Sequence, residues 1–251
     1  MKKINIIIII ILLIFIPKIS FSAEFKGKFI QGHFIIGKTE PNTKIFVDKK
    51  SVKVSKDGYF AFGIGKDRKF DIIITEGDDK IVKKIKKRKY NIQKIEGLPK
   101  KKVTPPEEFY ARIKKENKLI VDAREVHSDL SFFKDKFIMP VDDAIITGVY
   151  GSQRILNGIP KWPHYGLDFA QKKGTPIKAM NNGVVTLAEK DLFYTGATLI
   201  FDHGHGISTL YMHMHEIFVN VGDHVKKGDI VATVGTSGRS TGPHLDIRLN
   251  W

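Results

Sequence analysis

The chain has 251 residues, 42% hydrophobic and 27% charged, which suits one large or two small globular domains and excludes a disordered chain. It contains no cysteine, which excludes disulfides and two-cysteine redox chemistry. The formal net charge of +15 favours polyanionic surfaces, although a chain this rich in lysine and isoleucine can owe its charge to compositional bias alone.

Residues 1–22 read as a secretory signal peptide. Met1-Lys2-Lys3 is a basic start, residues 4–16 are an almost unbroken apolar run, and Pro17 and Lys18 end it. Ser20-Phe21-Ser22-Ala23 supplies small residues for cleavage after Ser22. The run falls short of the ~20 residues that a membrane span needs, so no stable span is expected. Cleavage removes Lys2, Lys3 and Lys18 and lowers the net charge from +15 to +12. Export argues against nucleic acid as a partner.

Residues 23–96 read as a small all-β, sandwich-like domain. Phe34-Ile35-Ile36 leads to a turn at Glu40-Pro41-Asn42, Val52-Lys53-Val54 alternates, and Asp57-Gly58 predicts a hairpin turn within a meander. Residues 97–136 read as a basic linker followed by a helix. Thr104-Pro105-Pro106-Glu107 has the form of a capping box, and Phe109, Ile113, Ile120 and Ala123 give a helical stripe running to about Val126. From residue 137 to 251 the texture changes to short strands punctuated by glycine. The clearest strands are Val184-Val185-Thr186-Leu187, Thr198-Leu199-Ile200-Phe201, Ser208-Thr209-Leu210-Tyr211 and Ile230-Val231-Ala232-Thr233-Val234.

Chemistry concentrates in this last part. Seven of the nine histidines lie between His164-Tyr165-Gly166-Leu167-Asp168 and Thr241-Gly242-Pro243-His244-Leu245-Asp246, counting their ends. Imidazole and carboxylate brought together from distant segments are what a fold-built metal site needs, and a catalytic zinc keeps a position open for water. Residues two apart on a strand share a face, so His244, Asp246 and Arg248 should all face one groove. Two arrangements stay open: Asp246 binds the metal, or Arg248 pairs with it and takes it away. His203 and His205, in a glycine-rich turn, are expected to make structural hydrogen bonds, and His215 to share a face with His213. Tyr150 and Arg154, with Arg248, are candidates for lining a substrate groove.

The ordered set Val149-Tyr150-Gly151, His164 to Asp168, Gly174-Thr175-Pro176, Asp202-His203-Gly204-His205-Gly206, Tyr211-Met212-His213, Gly228-Asp229-Ile230 and Thr241-Gly242-Pro243-His244-Leu245 resembles the lysostaphin-like (LytM-type) zinc metallopeptidases. The resemblance covers residues 137–251 and implies an antiparallel β domain of the duplicated hybrid motif type. With its N-terminal β domain the chain is similar to periplasmic members from Gram-negative bacteria. The resemblance implies hydrolysis of peptidoglycan cross-links, with His164 and Asp168 as zinc ligands and His213 and His244 as catalytic histidines beside the metal. The usual third-ligand histidine is replaced by Asp246. One histidine and two carboxylates would bring a bound Zn²⁺ to zero formal charge and would also suit a harder divalent ion. The alternatives are a silent homologue that binds cell wall or activates another hydrolase through a regulatory protein contact, and a lipoyl- or biotinyl-type carrier. The carrier lacks its hairpin-tip lysine here.

Overall fold

The computed structural model describes residues 23–251, and the expected signal peptide lies outside the described residues. The chain is mainly β, as its sequence predicts. No helix among the described residues is long and apolar enough to cross a membrane.

The first strands are β1 (Glu24–Lys26), β2 (Phe34–Lys38), β3 (Ile45–Val47), β4 (Lys50–Val52), β5 (Tyr59–Gly63), β6 (Ile72–Glu76) and β7 (Asp79–Lys83). They form two antiparallel sheets, in the orders β1-β2-β5 and β4-β3-β6-β7. Alternation sets the inner faces: Ile72 and Ile74 are buried while Ile73 between them is exposed. Ile35, Phe60 and Phe62 from one sheet pack with Ile45, Val47, Ile72 and Ile74 from the other. This is the expected sandwich, but it is not a meander. β5 pairs with β2 and β6 with β3. The Asp57-Gly58 turn forms, with Gly58 at φ +84° and its N–H donating to Ser55 O, yet it carries the chain from one sheet to the other instead of closing a hairpin.

The region between the two β parts is more tightly held than a linker. β8 (Ile92–Ile95) leaves the sandwich and pairs in parallel with β10 (Gln153–Leu156), which also pairs with β11 (Ile159–Pro160). A short helix α1 (Lys100–Val103) follows, and Leu98 and Val103 are buried against Leu156. The Asn157 side chain bonds both the N–H and the carbonyl of Leu98.

The helix α2 (Tyr110–Arg124) begins later than predicted, after a 3₁₀ turn over Glu107–Phe109, and Thr104 makes no capping bond. Pro106 disfavours helical backbone at Pro105, so no helix can start there. α2 ends at Arg124, two residues short of the expected limit.

The remaining strands are β9 (Ile145–Gly148), β12 (Leu167–Ala170), β13 (Pro176–Lys178), β14 (Gly183–Leu192), β15 (Gly196–Asp202), β16 (Ser208–Ile217), β17 (His224–Val225), β18 (Ile230–Val234) and β19 (His244–Asn250). They make one nine-stranded sheet, ordered β17-β14-β15-β16-β19-β12-β9, with β13 and β18 joined to it through β16. One face buries Phe169, Leu199, Phe201, Tyr211, Leu245 and Ile247. On the other, Ala123 of α2 packs on Leu187, Ile200, Leu210 and Met212. Asp246 stands opposite Met212 and Arg248 opposite Leu210, so both lie on the face that α2 partly covers.

Candidate active site

β12 and β19 run antiparallel with Asp168 opposite Asp246. His164 lies just before β12, where its N–H donates to Ser152 O and its carbonyl accepts from Gly151 N–H. This register brings one ligand atom each of His164, Asp168 and Asp246 within 4.8 Å of one another. All three residues are buried, at 1%, 5% and 1% exposure. Two glycines make the room. A Cβ at Gly166 would lie 2.0 Å from Asp246 Oδ1, and one at Gly148 would lie 2.1 Å from Asp168 Oδ2.

Each carboxylate uses its two oxygens differently. Arg154 Nη2 donates to Asp168 Oδ2 at 2.9 Å, and Arg248 Nη2 donates to Asp246 Oδ2 at 3.2 Å. The other oxygen of each, Oδ1, is buried with no hydrogen-bond partner, as are both ring nitrogens of His164. His164 Nε2 stands 3.0 Å from Asp168 Oδ1, but without hydrogen-bond geometry. Burial pushes the Asp168 carboxyl up; His164 and Arg154 outweigh it and hold it below the usual carboxylate range. Buried polar atoms are nearly always paired, so three neighbouring residues that each keep a buried atom without a hydrogen bond fit a cation. Arg248 takes one oxygen of Asp246, as one of the two arrangements requires, and leaves Oδ1 without a hydrogen bond.

His213 and His244 sit beside this group, with ring centroids 4.8 Å apart. His213 has φ +65° within β16, and its N–H donates to Thr195 O. Its Nδ1 lies 2.8 Å from Ser237 O, which makes Nδ1 the donor and leaves Nε2 as the accepting nitrogen. Burial first, and then the nearby His244, lower the His213 pKa to about 4. His244 Nδ1 is 2.9 Å from Gly242 O, an equivalent restraint. Both histidines line a cleft of about 320 Å³ with Asp168, Arg154, Arg239 and Ser240, and Gln93 of β8 forms part of its wall.

Of the candidate groove residues, Arg154 lines this cleft and Arg248 lines a second one. Tyr150 does not belong to it: its ring packs against Gly32 and Tyr165 and lines a separate cleft. His215 does not share the face of His213 and is exposed, because the irregular backbone at His213 breaks the alternation. His203 makes the expected structural bonds, to Asn182 O and Thr209 Oγ1, and His205 bonds Lys53 O. Sequence reasoning missed Ser237, Ser240 and Arg239. The Ser/Gly-rich run before His244 was their only signal.

Residues 162–251 match the family model of peptidase family M23. Over 89 residues the chain is 39% identical to the DD-carboxypeptidase/endopeptidase Mpg of Neisseria meningitidis serogroup B, which covers 35% of this chain and 20% of that protein. It is 38% identical over 87 residues to the peptidoglycan DD-endopeptidase ShyA of Vibrio cholerae, again 35% of this chain and 20% of the relative. The chain thus spans about a fifth of the length of these curated relatives. A solved structure from Pseudomonas aeruginosa, described as an M23 peptidase, matches with a TM-score of 0.66 at 25% identity, over 88% of this chain and 90% of that one. The ordered motifs, the pairing of β12 with β19 and these likenesses agree: residues 162–251 form a peptidase family M23 domain of the lysostaphin-like (LytM-type) kind.

Proposed function

We propose that this protein is an exported, periplasmic metalloendopeptidase that hydrolyses peptide cross-links of peptidoglycan. The observation that carries the proposal is the convergence of orphaned atoms of His164, Asp168 and Asp246 beside two oriented histidines in an open cleft. The names of the Neisseria and Vibrio relatives support the substrate class.

His164, Asp168 and Asp246 would hold one divalent cation, zinc or a harder ion. Bound there, it would polarise the scissile carbonyl and acidify water. The rest is the work of this chain. Arg154 and Arg248 fix the two carboxylates through Oδ2 and leave each Oδ1 without a hydrogen bond. They also add two positive charges to a site in which two carboxylates neutralise the cation. Ser237 and Gly242 carbonyls hold the imidazoles with Nε2 free. His213 stays uncharged at neutral pH, so it accepts a hydrogen bond at Nε2 and does not donate one. With His244 opposite, the pair brackets the place where a proton must move from water to the leaving amine.

The silent-homologue reading draws on one observation, the arginine on each ligand carboxylate. Under it, the arginines replace the cation and the protein acts by binding wall or a regulatory protein. The deciding experiment is metal analysis of the exported chain, with mass spectrometry of cross-linked peptidoglycan peptides after incubation. One bound divalent ion per chain and release of uncross-linked peptides are expected. A chain that takes up no divalent ion from any salt supplied would overturn the enzyme reading.

A further inference from the structure

A second cleft, of about 640 Å³, lies at the far end of β19 from His244. Arg248, Asn250 and Trp251 line it from one side and Arg124, the last residue of α2, from another. Tyr150 and Tyr165 complete it with ring centroids 6.0 Å apart. Two guanidiniums, Arg124 and Arg248, share it. Arg124 has no hydrogen bond or ion pair to any other described residue. Arg248 gives Nη2 to Asp246, but its Nε is buried without a partner, as is Asn250 Nδ2. Lys50 Nζ adds a further cation, 4.3 Å from the Trp251 ring centre.

Two guanidiniums that share a cleft repel each other, and burial makes the repulsion costly. Burial and then the charge of Arg248 hold the Arg124 pKa below its ordinary value. A cleft walled by aromatic rings and furnished with unmatched forked donors is complementary to a planar oxyanion carried on an organic body. A bare inorganic anion would leave the tyrosine and tryptophan faces unused.

We propose that this cleft binds the free carboxylate of a peptide, held by Arg124, Arg248 and Asn250, with the peptide body against Tyr150, Tyr165 and Trp251. The proposal rests on the peptidoglycan-peptide reading and deepens it. At about 3.4 Å per residue, β19 separates Asn250 from His244 by about 20 Å, the span of an extended peptide of about six residues. One end of such a ligand would be anchored here while its scissile bond lies at the ligand group.

The test uses the full chain as isolated, titrated with N-acetyl-lysyl-D-alanyl-D-alanine, with the same peptide amidated at its C-terminus, and with inorganic phosphate, each followed by nuclear magnetic resonance shifts. The free acid should bind at least ten-fold more tightly than the amide and than phosphate, with shifts at Trp251 and Asn250. Arg124→Met should weaken acid binding ten-fold or more and leave the amide unchanged, with Arg124→Lys intermediate. Equal binding of acid and amide by the unaltered chain would overturn the proposal, and that comparison needs no variant to fold. Phosphate binding more tightly than the peptide acid would overturn it in favour of a bare oxyanion site. Hydrolysis of cross-links without acid-selective binding sinks this cleft alone. Acid-selective binding without hydrolysis sinks the endopeptidase reading alone.

Discussion

Two buried histidines on the same domain meet opposite fates. His203 is 1% exposed and both its ring nitrogens are bonded, to Asn182 O and Thr209 Oγ1. His164 is equally buried and neither of its nitrogens has hydrogen-bond geometry, although Nε2 stands 3.0 Å from Asp168 Oδ1. Burying an imidazole without partners costs a few kcal/mol, roughly 1–3 per polar group by mutational measures. A fold that bears this cost at His164, Asp168 and Asp246 together, and not at His203, sets the first group apart as a place prepared for something else. The comparison predicts opposite phenotypes for the two histidines.

The sharpest break comes at the ligand group. Replacing Asp168 by Ala should abolish divalent-ion binding in equilibrium dialysis and cut cleavage of cross-linked peptides by about 10³-fold or more, because one of three donor groups, and one of the two charged ones, is lost. It also frees Arg154. Asp246→His should retain the ion, since imidazole is a competent ligand there. If Asp246→Ala keeps full metal content, Asp246 is a partner of Arg248 only.

Next in size is His213. His213→Gln should leave metal content unchanged while lowering the cleavage rate by about 10²- to 10⁴-fold, the range of a lost acid–base or oxyanion group. Equal loss of metal in this variant would place His213 among the ligands instead.

Arg154 and Arg248 sharpen the comparison at a smaller scale. A partner that orients a ligand typically changes metal affinity by about 10- to 100-fold. Arg248→Met should therefore weaken the ion's binding by that factor, read by competition with a chelator. A gain in affinity would mean that the arginine competes with the ion for Asp246.

How far these features were legible in the sequence follows from the range of the interactions that make them. His164, Asp168, His244 and Asp246 stand in short ordered motifs, and the period of two along β19 placed Arg248 on the face of Asp246. The two-sheet character of residues 23–83 followed from alternation. What escaped depends on distant partners. The parallel pairing of Ile92–Ile95 with Gln153–Leu156 joins segments almost sixty residues apart and has no local signature, so residues 92–95 read as part of the first β domain and the stretch from residue 97 as a basic linker. His213 escaped alternation through a left-handed backbone inside a strand, which separates it from His215. Tyr150 escaped because its neighbour is Gly32, from the sandwich.

The smallest effect belongs to His203, and it completes the contrast. Burial lowers its pKa below 6.5, partly opposed by the bond to Asn182 O and the charge of Asp202. In the folded chain the ring is therefore neutral at pH values where the unfolded chain's ring is protonated. The unfolded state binds the extra proton, so this contribution to stability is present above about pH 6.5 and is lost as pH falls from there toward the lowered folded value. The slope from one such group is at most about 1.4 kcal/mol per pH unit. His203→Asn removes the titration and both ring bonds. Urea unfolding of chelator-treated protein should show a loss of about 1–3 kcal/mol at pH 7.5 and a smaller loss at pH 5.5, where the parent has already weakened. His205 and His213 are lowered in the same direction, so the slope should shrink and not vanish. Metal affinity should stay within about two-fold of the parent, since neither ring nitrogen of His203 faces the ligand group; a ten-fold change would show that the bonded and the orphaned histidine are not independent.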